Sequence, residues 1–487
     1  AADRQTGGAA AVSLRAGQRL RVFCISDVHT DHAANMNWLR DKLPERAHGD
    51  VCDVAVCSGD VSDRLPVLSE TLRTLKERFS EVVFTPGNHD LWVGRRAHPA
   101  AAEGAAGDAE DSLQKLRAVL SLCREVDVHV GVLRLQPAAS REVVIVPLFS
   151  WYHRGWDTEP DLHSDDELRE AWSDFRMCRW PKELAADLRS PDAGNALAAH
   201  FAAMNEPPLA ALCGELPAPP PEGRPPPAVR LDKRSTYARF GQRPSSDELW
   251  TSLDPKAMFT PRADSAAVSE SAVREEALRG DPMASRDDPH DDPRALLRAP
   301  RNGADWPRGA SDSRGAVPRS LSPALPARTP SPTPLPAAAA RPFVISCSHF
   351  CPRQELLPEK RLLFMGGLHK VSGSRKLEEQ IRQLMPDMHL FGHTHIPFDT
   401  TIEGVRYVQW ALGTPREQRG QTRVVFAPLC VYDTHCGGEA PQHWTHWGHH
   451  YEVYARDLSL TTLAPWAHGN PSRRDFIKAA TSDNTSS

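Results

Sequence analysis

The 487-residue chain lacks any apolar run of the roughly 20 residues that a membrane-spanning helix needs. Its first 17 residues also lack the apolar stretch that a secretory signal requires. The formal charge at pH 7 is only −5, so no basic excess is present to attract nucleic acid through net charge. We therefore expect no membrane span and no nucleic-acid binding driven by overall charge.

The ten cysteines lack the two-residue spacing of a zinc knuckle. Three of them, Cys24, Cys57 and Cys347, lie inside apolar runs and are expected to be buried, reduced thiols. Reduced thiols favour a cytoplasmic location. The alternative is a plastid or another organelle, because the acid-poor start with Ala and Arg is compatible with a transit remnant. The first residue is not Met, so a fragment or a processed form is also compatible with the sequence.

The composition changes abruptly near Asn205, where a proline-rich stretch begins. More than half of the chain's 43 prolines lie between Pro207 and Pro336. Proline at that density opposes helices and sheets, so we expect a disordered insertion. Its segment 323–336 could bind an SH3- or WW-type partner as polyproline II, and a passive spacer is the alternative. The predicted regions are a flexible N-terminus (1–17), a folded domain (18–206 and 341–467), the insertion (207–340) and a flexible tail (468–487).

Short apolar runs of strand length occur on both sides of this insertion. Early in the chain they alternate with a helical pattern, in which Leu68, Leu72, Leu75 and Phe79 repeat at spacings of four, three and four. Strands that alternate with helices predict an α/β sheet. The insertion falls between two such strands, so the fold is expected to close across it. The runs are 21–26, 53–58, 82–85, 143–147, 343–346 and 389–391, with 405–410 as a further candidate.

Polar residues that can bind metal ions follow most of these runs. Groups at the carboxyl ends of strands converge in one cleft in open α/β sheets, so residues distant in sequence are expected to meet. Each cluster alone is weak evidence, because such short motifs occur by chance. Five clusters in this order, each after a strand, predict one common site. They are Asp27-Val28-His29, Gly59-Asp60-Val61-Ser62-Asp63, Gly87-Asn88-His89-Asp90, Ser348-His349 and Gly392-His393-Thr394-His395.

The ligand types in these clusters indicate the metal. Carboxylates, imidazoles and an amide oxygen suit Mn, Fe or Zn better than Ca. One carboxylate can bridge two ions about 3.5–4 Å apart, which is the spacing suited to phosphoryl displacement. The residue types therefore predict a site for two divalent ions, of undetermined identity.

The whole series of motifs resembles the calcineurin-like metallophosphoesterases, over residues 18–206 and 341–467. The resemblance implies an α/β fold, namely a four-layer α/β/β/α sandwich interrupted here by the long disordered insertion. Ser150-Trp151-Tyr152-His153 and Leu357-Pro358-Glu359-Lys360-Arg361 also resemble an uncharacterised branch of this superfamily in plants and algae. The branch says little about the substrate.

The resemblance further implies a role for each motif residue. The first metal ion would be held by Asp27, His29 and His395. The second would be held by Asn88, His349 and His393. Asp60 would bridge the two ions, and a hydroxide between them would attack the phosphate ester. His89 would stabilise the transition state and protonate the leaving oxygen. Asp63 would orient His89, and the alternative for Asp63 is a turn or a helix cap.

Two residues are candidates for contact with the substrate. Arg64 could bind phosphate through two hydrogen bonds, as the matching arginine does in related phosphoprotein phosphatases. The chain departs from those enzymes, since Leu65 replaces a glycine and Asp90 replaces a glutamate, and a solvated charge is the alternative for Arg64. His153 follows a strand and could reach the substrate.

The resulting prediction is a metal-dependent hydrolase of a phosphate mono- or diester. Its substrate would be a phosphorylated small molecule, a nucleotide or a phosphoprotein, and a shared fold does not decide among them. One alternative is a catalytically silent scaffold that kept the fold in order to bind protein partners. In another alternative, the proline-rich insertion is the functional part of the chain and docks onto a partner, and the enzyme domain has no role of its own in that interaction.

Overall fold

Two β-sheets that share one hydrophobic core form the centre of the fold. The computed structural model describes residues 9–47, 49–94, 111–138, 140–162, 172–185, 194–216, 341–363, 367–420 and 427–464. The strands in chain order are β1 (Ala10–Ser13), β2 (Arg19–Ile25), β3 (Val51–Cys57), β4 (Glu81–Phe84), β5 (Leu133–Gln136), β6 (Val143–Pro147), β7 (Phe343–Cys347), β8 (Met388–Phe391), β9 (Phe398–Ile402), β10 (Val405–Gln409), β11 (Leu429–Asp433) and β12 (Gly438–Glu439).

The central strands of both sheets run parallel to one another. The seven-stranded sheet has the order β1-β5-β6-β7-β8-β10-β9, and the five-stranded sheet has the order β12-β11-β2-β3-β4. Strand β6 pairs in parallel with β7, with Val143 opposite Phe343, so the fold closes across the long insertion as expected. Each of the seven strand-like runs in the sequence corresponds to a strand of the structure.

Helices cover the outer faces of the sheets. Their bounds are α1 (Ala33–Lys42), α2 (Leu65–Arg78), α3 (Ser112–Glu125), α4 (Asp174–Met177), α5 (Lys182–Ala185), α6 (Asn195–Glu215), α7 (Arg375–Leu384), α8 (Pro415–Gly420) and α9 (His446–Val453). The sequence periodicity predicts α2, whose residues Leu68, Leu72 and Leu75 are fully buried. Short 3₁₀ turns occupy 89–91, 154–156, 354–356, 360–362, 368–371 and 434–436.

Strand β6 shows how the layers are built. Its residues Val143 and Ile145 belong to the core between the sheets, whereas Val144 and Val146 belong to a second cluster with leucines of α6 and α7. Successive side chains of a strand point to opposite faces, so a strand buried on both faces is apolar throughout. On the other side, α2 packs onto the core that contains the five-stranded sheet. The four-layer α/β/β/α arrangement is confirmed.

Two predicted region boundaries differ from the structure. Helix α6 continues past residue 206, where the insertion was expected to begin, and it contains Pro207 and Pro208. Leu209 and Leu212 beyond them are buried against α7, and this burial opposes the roughly 3 kcal/mol that each of the two prolines costs inside a helix. Residues 10–13, predicted as flexible, form β1, which pairs with β5. The remainder of the insertion, from 217 to 340, and the C-terminal tail lie outside the described residues.

Candidate metal centre and active site

The five predicted clusters lie at the carboxyl ends of five strands. Asp27, Asp60 and Asn88 follow the parallel strands β2, β3 and β4 of one sheet. His349 and His393 follow β7 and β8 of the other sheet. The backbone links the two edges, because the N–H of His393 donates a hydrogen bond to Asp27 Oδ1 at 2.9 Å. Residues more than 360 positions apart thus meet in one cleft.

The backbone at the site adopts a conformation that non-glycine residues seldom take. Five candidate ligands have positive φ angles, namely Asp27 (52°), His29 (43°), Asp60 (55°), His393 (76°) and His395 (56°). Such backbone costs on the order of 1–3 kcal/mol at each residue and persists only where the surroundings impose it. Its concentration on the candidate ligands indicates that the loops are shaped for a function.

The donor atoms form three groups, in each of which all the atoms lie within 4.8 Å of one another. The groups are Asp27, His29 and His395; His29, Asp60 and His89; and Asp60, His349 and His393. Two imidazole nitrogens, Nε2 of His29 and Nε2 of His395, lie 3.1 Å apart. Asp60 belongs to the second and third groups and His29 to the first and second, so the three groups form one connected set of donors.

The amide of Asn88 completes the group around His349. Its Oδ1 lies 3.0 Å from His349 Nε2 and 3.0 Å from His393 Nδ1, and these two nitrogens are 3.2 Å apart. Carboxylate, imidazole and amide oxygen in this arrangement are the donor set expected for borderline divalent cations. The residues present therefore fit the metal ions that the motifs predict.

In both His349 and His393, a hydrogen bond to a backbone carbonyl fixes which ring nitrogen carries the proton. His349 Nδ1 donates to the Ser58 carbonyl and His393 Nε2 donates to the Val371 carbonyl, each at 2.9 Å. A carbonyl oxygen can only accept, so both rings carry their protons there and leave the other nitrogen to face the site. This is the arrangement that orients histidine ligands in metal sites.

Glu417 orients the ring of His395 in the same way, through a hydrogen bond to its Nδ1. Its Oε2 lies 2.9 Å from His395 Nδ1 and also accepts from the backbone N–H of Thr414 at 2.7 Å. The sequence analysis missed Glu417, because it belongs to none of the five motifs. The signal available in the sequence was only its position 22 residues after His395, which does not predict a contact.

The site concentrates ionisable groups away from solvent. Burial, followed by the charges of Asp27 and Asp90, raises the pKa of Asp60 well above its usual value. Burial and the neighbouring His395 lower the pKa of His29 to about 3, and burial also lowers the pKa of His349. Neutral imidazoles beside carboxylates that repel one another are suited to binding cations, which remove this repulsion.

Asp90 holds the loop that carries the ligands. Its carboxylate accepts hydrogen bonds from the backbone N–H groups of Asp60, Val61, Ser62 and Gly87 at 2.8–3.0 Å. Burial raises the pKa of Asp90 to about 6, against the effect of these four bonds. Asp90 therefore fixes the two glycine turns relative to each other, which the comparison with glutamate in the phosphoprotein phosphatases did not reveal.

Gly87 is required by close packing in the same place. A Cβ atom there would lie 2.7 Å from His349 Cε1 and 2.8 Å from the backbone nitrogen of Asp60, and it would also collide with the Asp60 carboxylate. A larger residue would therefore displace a candidate ligand, which explains this glycine before Asn88.

The two residues predicted as catalytic, His89 and Asp63, differ in how they contact the site. His89 is 29% exposed, its Nε2 lies 3.8 Å from Asp60 Oδ2, and its ring stacks on Trp92 with centroids 3.5 Å apart. Asp63 is half-buried, and burial followed by the charge of Asp31 raises its pKa. Within the described ranges no hydrogen bond joins Asp63 to the His89 ring. The role of Asp63 in orienting His89 stays a prediction.

The two candidate substrate contacts differ in position. Arg64 is exposed at the N-terminus of α2, with its Nε 3.4 Å from Asp31 Oδ1. His153 is buried, and its Nε2 accepts a hydrogen bond from the backbone N–H of Arg375 at 3.1 Å. This contact favours a structural role for His153 at the start of α7.

Comparison with known proteins supports the assignment made from the motifs. Residues 20–187 match the family model described as calcineurin-like phosphoesterase. The predicted resemblance to this family is confirmed over these residues. This match and the candidate ligand groups support phosphoester hydrolysis in general and the use of divalent metal ions. The plant and algal branch stays a prediction.

One curated relative is an acyl-carrier-protein phosphodiesterase, PptH of Mycobacterium tuberculosis. It is 32% identical over 80 residues, which span 16% of this chain and 24% of the relative. The crystal structure titled phosphopantetheinyl hydrolase (PptH) from the same organism aligns over 85% of this chain and 96% of its own, at 16% identity and a TM-score of 0.39. A TM-score of this size carries no functional information.

Two further predictions concern the rest of the chain. Among the described residues, the helices are all too short or too polar to cross a bilayer. All ten cysteines are free thiols, and Cys24, Cys57 and Cys347 are buried as expected. The compartment stays a prediction, and the possible SH3 or WW contact lies outside the described residues.

Proposed function

We propose that the chain hydrolyses phosphate esters with two divalent metal ions held by Asp60 and the six other ligands of the predicted set. The observation that carries the proposal is the position of Asp60, which belongs both to the donor group of His29 and to that of His349. A carboxylate between two donor groups can serve both ions. The identity of the metals, among Mn, Fe and Zn, follows from availability as much as from the ligands.

Bound divalent ions would supply an activated water for attack on phosphorus and positive charge for the phosphate oxygens. The side chains of the site would hold these ions, and their protonation states suit that role. His29, His349 and His393 offer neutral nitrogens, because the pKa of each is lowered by burial. Asp27 remains ionised, since His395 holds its pKa below the usual value although burial opposes this.

His89 is the proposed proton donor to the leaving oxygen. Its Nε2 lies 3.8 Å from Asp60 Oδ2, and its side chain is 29% exposed, which leaves room for a substrate oxygen to approach. Burial and the charge of His29 lower the pKa of His89, so its ring is neutral when the site is free. An anionic phosphoester has the opposite effect and favours the protonated ring that general-acid catalysis needs.

Arg64 is the proposed contact for a distal phosphate oxygen. Its guanidinium is exposed and pairs with Asp31 over 3.4 Å, so it can exchange this partner for an anion at little cost. Monoesters and diesters are both candidate substrates. The diester class includes the phosphodiester of a modified acyl carrier protein, which is suggested by the name of the curated relative.

The proposal is tested by a metal-supplemented screen of the purified chain. p-Nitrophenyl phosphate and bis-p-nitrophenyl phosphate represent the two ester classes, and phosphopantetheinylated acyl carrier protein represents the diester that the name of the relative suggests. We expect turnover that depends on added Mn, Fe or Zn, and that falls by roughly 10²–10⁴ in His89→Ala.

The silent-scaffold alternative makes the opposite prediction in the same assay. A folded chain that binds no divalent ion and shows no metal-stimulated turnover on any of the three substrates would refute the proposed hydrolysis. Full activity of His89→Ala would refute the role of His89 and leave the rest of the proposal standing.

A further inference from the structure

A buried carboxylate outside all five motifs contacts the candidate metal ligand Asn88. Asp174 is the first residue of α4 and is only 3% exposed. Its Oδ1 accepts hydrogen bonds from Asn88 Nδ2 at 2.9 Å and from Trp92 Nε1 at 2.6 Å. Its Oδ2 accepts from Trp172 Nε1 at 2.8 Å. In the described part of the chain no cationic side chain pairs with it.

The bond to Asn88 decides which end of this amide faces the metal site. The Nδ2 group can donate to Asp174 only if Oδ1 points the other way, towards His349 Nε2 and His393 Nδ1. A carboxylate only accepts hydrogen bonds, so the reversed amide would place two oxygens against each other. The reversed amide would also present N–H groups instead of a lone pair to a cation.

The bond to Trp92 extends the effect of Asp174 to the general acid. The Trp92 indole is held by Oδ1 of Asp174 and stacks on the His89 ring. One buried carboxylate thus holds both the metal ligand Asn88 and the platform beneath His89.

We propose that Asp174 is a positioning residue, which fixes the Asn88 amide with its oxygen towards the second metal ion and holds Trp92 beneath His89. This inference rests on the proposed function. A purely structural carboxylate would stabilise α4 against its neighbours without any effect on the metal ions, and the two possibilities give different results.

The test compares Asp174→Asn with Asp53→Asn. Asp53 is equally buried and binds Arg21 through two bonds of 2.6 Å, but it lies near the start of β3, at the end opposite to the metal site. Each full-length variant is loaded with Mn²⁺, dialysed against graded chelator and analysed for bound metal, and its unfolding temperature is recorded in excess chelator.

We expect both variants to lose stability in chelator, and only Asp174→Asn to lose metal affinity. The loss should be about 10–100-fold, as is typical when the partner of a ligand is removed, and it should concern one of the two ions. Asp174→Asn with both ions as tightly bound as in the unaltered chain would overturn the inference and leave the proposed function intact. An unaltered chain that binds no Mn²⁺ would overturn both.

A reciprocal exchange covers the case in which Asp174→Asn folds poorly. Asn88→Asp alone places two carboxylates 2.9 Å apart in the position of the present bond, and we expect weaker Mn²⁺ binding although aspartate is itself a good ligand. The double variant Asn88→Asp with Asp174→Asn restores one amide facing one carboxylate and should recover at least tenfold in affinity over Asn88→Asp. A double variant no better than Asn88→Asp would contradict the inference.

Discussion

Replacing Asp60 with asparagine should have opposite effects on the protein with and without metal ions. The substitution keeps the shape of the side chain and its acceptor for the backbone N–H of His89, which bonds Oδ1 at 2.9 Å. It removes the negative charge that lies in two of the three donor groups. The change therefore isolates charge from packing.

The loss of metal affinity can be estimated from the donor distances. A cation held among atoms that lie within 4.8 Å of one another is itself close to Asp60. One pair of unit charges at ~4 Å interacts by about 4 kcal/mol at the effective dielectric constant of ~20 found near protein surfaces. The ions are divalent, so this energy is a lower bound, and we expect metal affinity to fall by at least about 1,000-fold and hydrolysis to be abolished at micromolar metal.

The same change should stabilise the metal-free protein. Burial and the charges of Asp27 and Asp90 raise the pKa of Asp60, so its ionised form is disfavoured in the folded state relative to the unfolded state at pH 7. A neutral asparagine does not incur this cost. In excess chelator we expect Asp60→Asn to unfold at a higher temperature than the unaltered chain, and with saturating Mn²⁺ at a lower temperature.

Calorimetry in the two conditions, with metal analysis of the same samples, measures both effects. Asp53→Asn serves as the control, because it removes a buried carboxylate that is paired with Arg21 and should destabilise the protein in both conditions. If Asp60→Asn is destabilised equally with chelator and with Mn²⁺, the interpretation is wrong that the Asp60 charge is unfavourable without metal ions and favourable with them.

The remaining predictions concern the loops, the fold boundary and the rim. Gly87→Ala should cost on the order of 1–3 kcal/mol and weaken metal binding, because its Cβ would collide with Asp60; unchanged metal content and melting temperature would contradict this. Leu212→Ala should lower the free energy of unfolding by about 2–5 kcal/mol in denaturant titrations, whereas no change is expected if 207–216 belongs to a disordered insertion. Arg64→Ala should raise KM for the substrate found in the screen and leave stability within about 0.5 kcal/mol, since the side chain is 62% exposed; an unchanged KM would remove Arg64 from the substrate contacts.

The central part of the fold could be predicted from sequence because buried parallel strands are apolar on both faces. Strands β3, β6 and β7 are largely apolar, with Asp53 in β3 and Ser346 in β7 as the polar exceptions, and the sequence predicts all three. Strands β1 and β12 are only four and two residues long and lie at sheet edges, where one side makes no ladder bonds and the pattern is weak. The predicted boundary after residue 206 falls inside α6, because local propensity carries no information about the burial of Leu209 and Leu212.

The candidate site shows the same division between local and tertiary information. The ligands follow strands at short, fixed spacings, so their motifs can be read from the sequence. Asp174 and Glu417 act on Asn88 and His395 from 86 and 22 residues away, through contacts that exist only after the chain has folded. No spacing rule connects such partners, and a lone acidic residue in a sequence is most often a solvated charge.

The most direct test of the account is an anomalous-diffraction experiment on crystals of the full chain soaked in Mn²⁺. We predict two anomalous peaks, one beside Asp27, His29 and His395 and the other beside Asn88, His349 and His393, with the Asp60 carboxylate in contact with both. The absence of peaks at these residues, or a single ion without contact to Asp60, would contradict the two-metal site.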